Sequence, residues 1–175
     1  QVILPDGVKE TLLQITHQFR ATTSPAPPFP SGSGLALGLS GPPGTGKTAT
    51  ALGLASALGR PMVSVDCAAL HQSRRDEIDR VDALFTEART QGALLVFDRC
   101  EALMDPGNPK LATIFRHMSH FGGITLLITS LPDGLDPAVE RHVAWQQNFE
   151  MPDVSMRAGI WTAHIPEEIP LDKDV

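Results

Sequence analysis

Residues 35–58 read LALGLSGPPGTGKTATALGLASAL, and this stretch changes character twice along its length. Leu35 to Ser40 is a short apolar run suited to a buried strand. Gly41-Pro42-Pro43-Gly44-Thr45-Gly46-Lys47-Thr48 fits the pattern G-x-x-x-x-G-K-[ST]. From Gly46 to about Leu58 the pattern is helical, with Leu52, Leu54, Ala55 and Leu58 expected to face inward, and it stops near Gly59. The glycines let successive backbone N–H groups point into the turn, and the helix aims the positive end of its dipole at the same place. Such a turn cradles phosphate. Lys47 is expected to reach the β- and γ-phosphates of a bound nucleotide, and the Thr48 hydroxyl to ligate Mg²⁺.

Downstream the chain alternates strands and helices. Pro61 to Asp66 (PMVSVD) reads as a strand, and Arg74 to Arg89 as an amphipathic helix with Ile78, Val81, Phe85 and Ala88 on one stripe. Ala93 to Asp98 (ALLVFD) is a continuous apolar strand ending in a carboxylate, as expected in a parallel sheet covered on both faces. Leu111, Ile114, Phe115 and Met118 mark a further helix. Ile124 to Ser130 reads as another strand, Trp145 to Glu150 as a fifth, and a last helix follows Pro152. Upstream, Val8, Leu12, Ile15 and Phe19 recur at helical spacing. Residues 21–34, with four prolines and two glycines, make a connector that cannot continue that helix. The expected fold is α/β, with a mostly parallel five-stranded sheet between two helical layers.

A Gly-rich loop of this kind needs a carboxylate on a neighbouring strand to hold the metal, and Asp98, fifty residues after Thr48, suits that role. Asp98 is therefore grouped with Thr48 as a candidate metal ligand.

Composition narrows the partners. The 175 residues carry 14 basic and 20 acidic side chains, a net charge of −6 with no long run of one sign. That argues against a surface built to grip nucleic acid. No apolar run approaches the ~20 residues needed to cross a bilayer. Cys67 and Cys100 lack the clustered spacing of a metal site and read as reduced thiols, which fits a cytoplasmic setting. The isolated His residues, Met151, Trp145 and Trp161 read as packing or surface residues.

The sequence resembles the AAA+ ATPases over nearly its whole length. GPPGTGKT is that family's usual wording of the P-loop, and Asp98-Arg99-Cys100-Glu101-Ala102-Leu103 stands where the family has Asp-Glu-Ala-Asp-Ala-Leu. Leu126 to Ser130, then Leu135-Asp136-Pro137-Ala138, resembles its sensor-1 strand and the following turn, and Arg141 stands at the place of an arginine finger. The lead-in at Val2 to Asp6 and the phrase around Ile160-Trp161 look most like a bacterial branch of the family, some members of which accompany contractile injection systems.

The resemblance implies a P-loop NTPase fold, ATP with Mg²⁺ as ligand, a homo- or hetero-hexameric ring, and a protein substrate or assembly partner. It further implies that Arg141 serves a neighbour's nucleotide, that Ile3 and Leu4 flank the adenine, and that a helical lid follows the α/β part. Residues 1–34 are then a lead-in, 35–166 the large nucleotide-binding subdomain, and 167–175 a tail toward the lid.

Three departures from the family pattern bear on catalysis. Arg99 replaces the glutamate that activates water, and a guanidinium cannot act as a base. Glu101 is the candidate substitute, although a displacement of two residues is expected to turn it elsewhere. Ser130 replaces the usual sensor asparagine and has a shorter reach. His71-Gln72-Ser73-Arg74-Arg75 lacks the aromatic residue with which ring translocases grip a threaded chain. A guanine-reading Asn-Lys-x-Asp segment does not occur, which disfavours GTP. Expected function therefore divides between an ATPase that remodels a protein partner and a degenerate domain that binds ATP for structural or regulatory ends.

Overall fold

The computed structural model describes residues 7–21, 34–72, 77–103, 108–131 and 135–165. Helix α1 (Val8–Ala21) leads into β1 (Leu35–Ser40), α2 (Lys47–Ala57), β2 (Met62–Asp66), α3 (Cys67–Gln72) and α4 (Glu77–Gln91). Strand β3 (Leu94–Asp98) ends in a 3₁₀ turn at Cys100–Leu103, followed by α5 (Pro109–Phe121), β4 (Ile124–Ile128), α6 (Pro137–Glu140), β5 (Trp145–Asn148) and α7 (Val154–His164). The strands form one sheet in the order β2-β3-β4-β1-β5, and every pairing is parallel. The expected α/β fold with five parallel strands is borne out.

The apolar runs are explained by cover on both faces. On one face Leu35, Leu37 and Leu39 of β1, Leu94 and Val96 of β3, and Ile124, Leu126 and Ile128 of β4 pack beneath α1 and α2. On the other, Leu95 and Phe97 of β3 and Leu127 of β4 pack beneath α4, α5 and the 3₁₀ turn. Successive strand residues point to opposite faces, so a strand buried on both sides has no polar position to spare. Leu126 is fully buried in β4, between β3 and β1. Leu126→Ala is expected to cost about 2–5 kcal/mol, read as a lowered urea midpoint at unchanged slope.

Several expectations need correction. Leu52 is 58% exposed, not inward. The buried stripe of α2 is Ala51, Leu54, Ala55 and Leu58, spaced i, i+3, i+4, i+7, and Leu52 lies about 100° off it. The fourth strand ends at Ile128 and the fifth at Asn148, short of Ser130 and Glu150. The short helices α3 and α6 and the 3₁₀ turn carry too few residues for a periodic signal. The segment at 74–76, most of the 21–34 connector, the lead-in with Ile3 and Leu4, and residues 166–175 lie outside the described residues. Among the described residues no helix is long and apolar enough to cross a membrane.

Candidate functional site

All five strands run the same way, so their C-terminal ends share one edge of the sheet, where ligands bind in open parallel α/β folds. The Gly41–Thr48 loop leaves the end of β1 at this edge, and Asp66, Asp98 and Ser130 lie at or just beyond the ends of β2, β3 and β4.

Two glycines set the loop's path. Gly41 has φ +126°, and a Cβ there would stand 2.1 Å from the Phe149 carbonyl oxygen. The loop and the chain after β5 therefore touch backbone to backbone. Gly41→Ala combines a forbidden φ with a direct clash. It is expected to destabilise the fold by more than about 2 kcal/mol and to abolish binding at the loop, measured by thermal melting with and without nucleotide. Gly46 is the N-cap of α2 in left-handed geometry, φ +94°, with no side-chain cap. The first N–H groups of the helix are thus not claimed by a capping side chain, an arrangement suited to an anion.

Lys47 is buried beneath the loop. Its Nζ donates to the Gly41 and Pro42 carbonyl oxygens at 2.6 and 2.7 Å, while the Thr45 hydroxyl also donates to Pro42 at 2.9 Å. Burial lowers the Lys47 pKa from its ordinary value, and the charges of Asp98 and Glu101 pull it partly back. One turn of chemistry away, Thr48 Oγ1 donates to Asp98 Oδ2 at 3.0 Å. Lys47, Thr48 and Asp98 thus form one cluster, as the sequence pattern requires. A hydroxyl and a carboxylate oxygen side by side are hard oxygen donors of the kind Mg²⁺ takes, so this pair fits that ion.

Beyond Asp98 the geometry was not legible in advance. Arg99 takes a left-handed backbone, φ +58°, with its N–H donating to Asp98 Oδ1 at 2.9 Å. Its guanidinium pairs with Asp66 Oδ2, while Asp66 Oδ1 accepts from the Ala68 N–H at 3.0 Å and begins α3. Asp66 was not among the expected site residues. Its signal was its place at the end of a strand, which matters only once β2 and β3 are known to be neighbours with Asp66 level with Asp98.

The 3₁₀ turn swings Glu101 back toward the sheet. Its Oε2 accepts from the Ser130 N–H at 3.2 Å, so the carboxylate stays at the site edge. Burial raises its pKa, but hydrogen bonds from its own backbone, the Ser130 N–H and the Thr129 and Ser130 hydroxyls outweigh that and leave it below the ordinary value. Arg141 is not brought to the loop. It is exposed, three residues before Ala144, whose N–H bonds the Ala36 carbonyl at the remote end of β1. Cys67 and Cys100 are buried free thiols with sulfurs 4.0 Å apart.

The family model described as "ATPase family associated with various cellular activities (AAA)" matches residues 37–153. The YME1 subunit of the mitochondrial inner membrane i-AAA protease supercomplex of Saccharomyces cerevisiae is 31% identical over 148 residues, covering 73% of this chain and 19% of that protein. ATP-dependent zinc metalloprotease FtsH 1 of Rhodopirellula baltica is 31% identical over 156 residues, covering 78% of this chain and 23% of that protein. The chain therefore spans about a fifth of the length of these relatives. Among solved structures, the FIGL-1 AAA domain in complex with ADP superposes with a TM-score of 0.73 at 22% identity, over 90% of this chain and 57% of that one.

Proposed function

This chain belongs to the AAA family of ATPases, and on that premise we propose that it binds ATP, hydrolyses it slowly, and uses the cycle to remodel or assemble a protein partner from within a ring of copies in the cytoplasm. The observation that carries the hydrolytic part is the position of Glu101, an ionised carboxylate hydrogen-bonded to the Ser130 N–H and felt electrostatically by Lys47. The Rhodopirellula relative, an ATP-dependent zinc metalloprotease, and the ADP in the FIGL-1 structure support an adenine nucleotide as ligand.

In this reading residues 35–166 are the nucleotide-binding subdomain. The backbone N–H groups of Gly41, Gly44, Thr45 and Gly46, in a turn shaped by Pro42 and Pro43, surround the phosphates. Lys47 exchanges the Gly41 and Pro42 carbonyls for phosphate oxygens. Thr48 and Asp98 hold Mg²⁺, which neutralises phosphate charge when bound. Glu101 takes the proton of a water whose oxygen bonds the γ-phosphorus as the bond to the β–γ bridging oxygen breaks and ADP leaves, and the Ser130 N–H holds the carboxylate. Arg141, exposed and away from its own loop, is available to the nucleotide of an adjacent copy.

A second reading rests on Arg99. A guanidinium stands where the family has a carboxylate, which favours a domain that binds ATP without turning it over. Phosphate release by the full-length protein decides between them. Turnover that Lys47→Ala and Glu101→Gln both remove supports the first reading, whereas ATP binding with a wild-type rate no higher than that of Lys47→Ala supports the second.

A further inference from the structure

Arg99 occupies a backbone region that non-glycine residues enter rarely, Asn and Asp excepted. The turn sends its side chain across to Asp66 on the neighbouring strand end. That pair is open to solvent, with the two side chains 54% and 41% exposed, and exposed ion pairs are among the weakest of charge contacts. A guanidinium meeting phosphate forms the same paired, charge-assisted hydrogen bonds it makes with a carboxylate, and a terminal phosphate carries more negative charge. Arg99 is also tied to the site through its own backbone, because its N–H and the Thr48 hydroxyl bond the two oxygens of one carboxylate, Asp98.

Charge points the same way. Asp66, Asp98 and Glu101 gather three carboxylates around the strand ends, against Lys47 and Arg99. Lys47 lies inside the loop, where it meets the phosphates at the base of the cradle. A terminal phosphate adds negative charge to a site where three carboxylates already stand, and Lys47, Arg99 and an ion held by Thr48 and Asp98 are the cations that can meet it. Of the two cationic side chains Lys47 is buried, and Arg99 is the exposed one, resting on Asp66.

We infer that Arg99 is a specificity-determining residue that leaves Asp66 for the terminal phosphate of a nucleoside triphosphate, so that the site distinguishes triphosphate from diphosphate. Asp66 is the carboxylate that competes with the phosphate for the guanidinium. The inference rests on the reading of the 41–48 loop as a nucleotide site, and it assigns Arg99 to ligand discrimination and not to activating water.

The test is calorimetric titration of the full chain, in Mg²⁺, with ADP and with a non-hydrolysable ATP analogue. Arg99→Asn removes the charge while keeping a residue that tolerates the left-handed backbone. It is expected to weaken the triphosphate about ten-fold and to leave ADP within two-fold. Asp66→Asn keeps an oxygen to cap α3 but releases the guanidinium. It is expected to tighten the triphosphate about three-fold with ADP unchanged. Equal loss for both nucleotides in Arg99→Asn, no loss for either, or a looser triphosphate in Asp66→Asn overturns the inference while leaving the nucleotide site intact. A wild type that binds neither nucleotide removes both.

Discussion

Lys47→Ala is expected to lose nucleotide affinity by at least about a hundred-fold while the sheet stays folded. The ammonium makes its contacts with the Gly41 and Pro42 carbonyls, inside the loop that is read as the place of the phosphate oxygens. Each charge-assisted hydrogen bond is worth about 1.5–3 kcal/mol, and losing two of them in a site already holding Asp98 and Glu101 reaches the hundred-fold level. The two carboxylates sharpen the effect, because removing the cation leaves their charges facing an anion with one positive charge fewer between them. Titration with ATP and with ADP reads the loss, and a circular dichroism melt shows that the core is intact. Affinity within three-fold of wild type sinks the reading of the loop as a phosphate cradle.

Some of this site was written in local sequence and some was not. The strand–turn–helix at 35–58 was legible because everything it needs is contiguous: a buried strand, glycines for the turn and a helix to aim the dipole. Asp98 was legible because an apolar strand that ends in a carboxylate has one exposed end to put it at. Leu52 was misassigned because a helix rich in Leu and Ala offers more than one apolar stripe, and only the packing against β3 and β4 selects between them. The Asp66–Arg99 pair depends on β2 lying beside β3 with Asp66 level with Asp98, a relation between segments thirty-two residues apart. Glu101 depends on a four-residue 3₁₀ turn, too short for periodicity, and on Ser130 arriving from a strand on the other side of β3. Contacts that need the strand order cannot be read before the order is known.

The Glu101→Gln variant is expected to lose about 10²–10⁴ in hydrolysis rate while binding ATP within a few-fold of wild type. Glutamine keeps the length and can still accept from the Ser130 N–H, so the turn should stay in place, and what disappears is the ability to take a proton. The pH dependence follows from the lowered pKa. A carboxylate held below the ordinary 4.5 is ionised above that value and loses its charge only as pH falls through the depressed value. The wild-type rate should therefore show no limb from Glu101 between about pH 5 and 8, and its acid limb should lie lower than for an unperturbed glutamate. A Glu101→Gln variant retaining more than a third of the wild-type rate would mean that Glu101 is not the base.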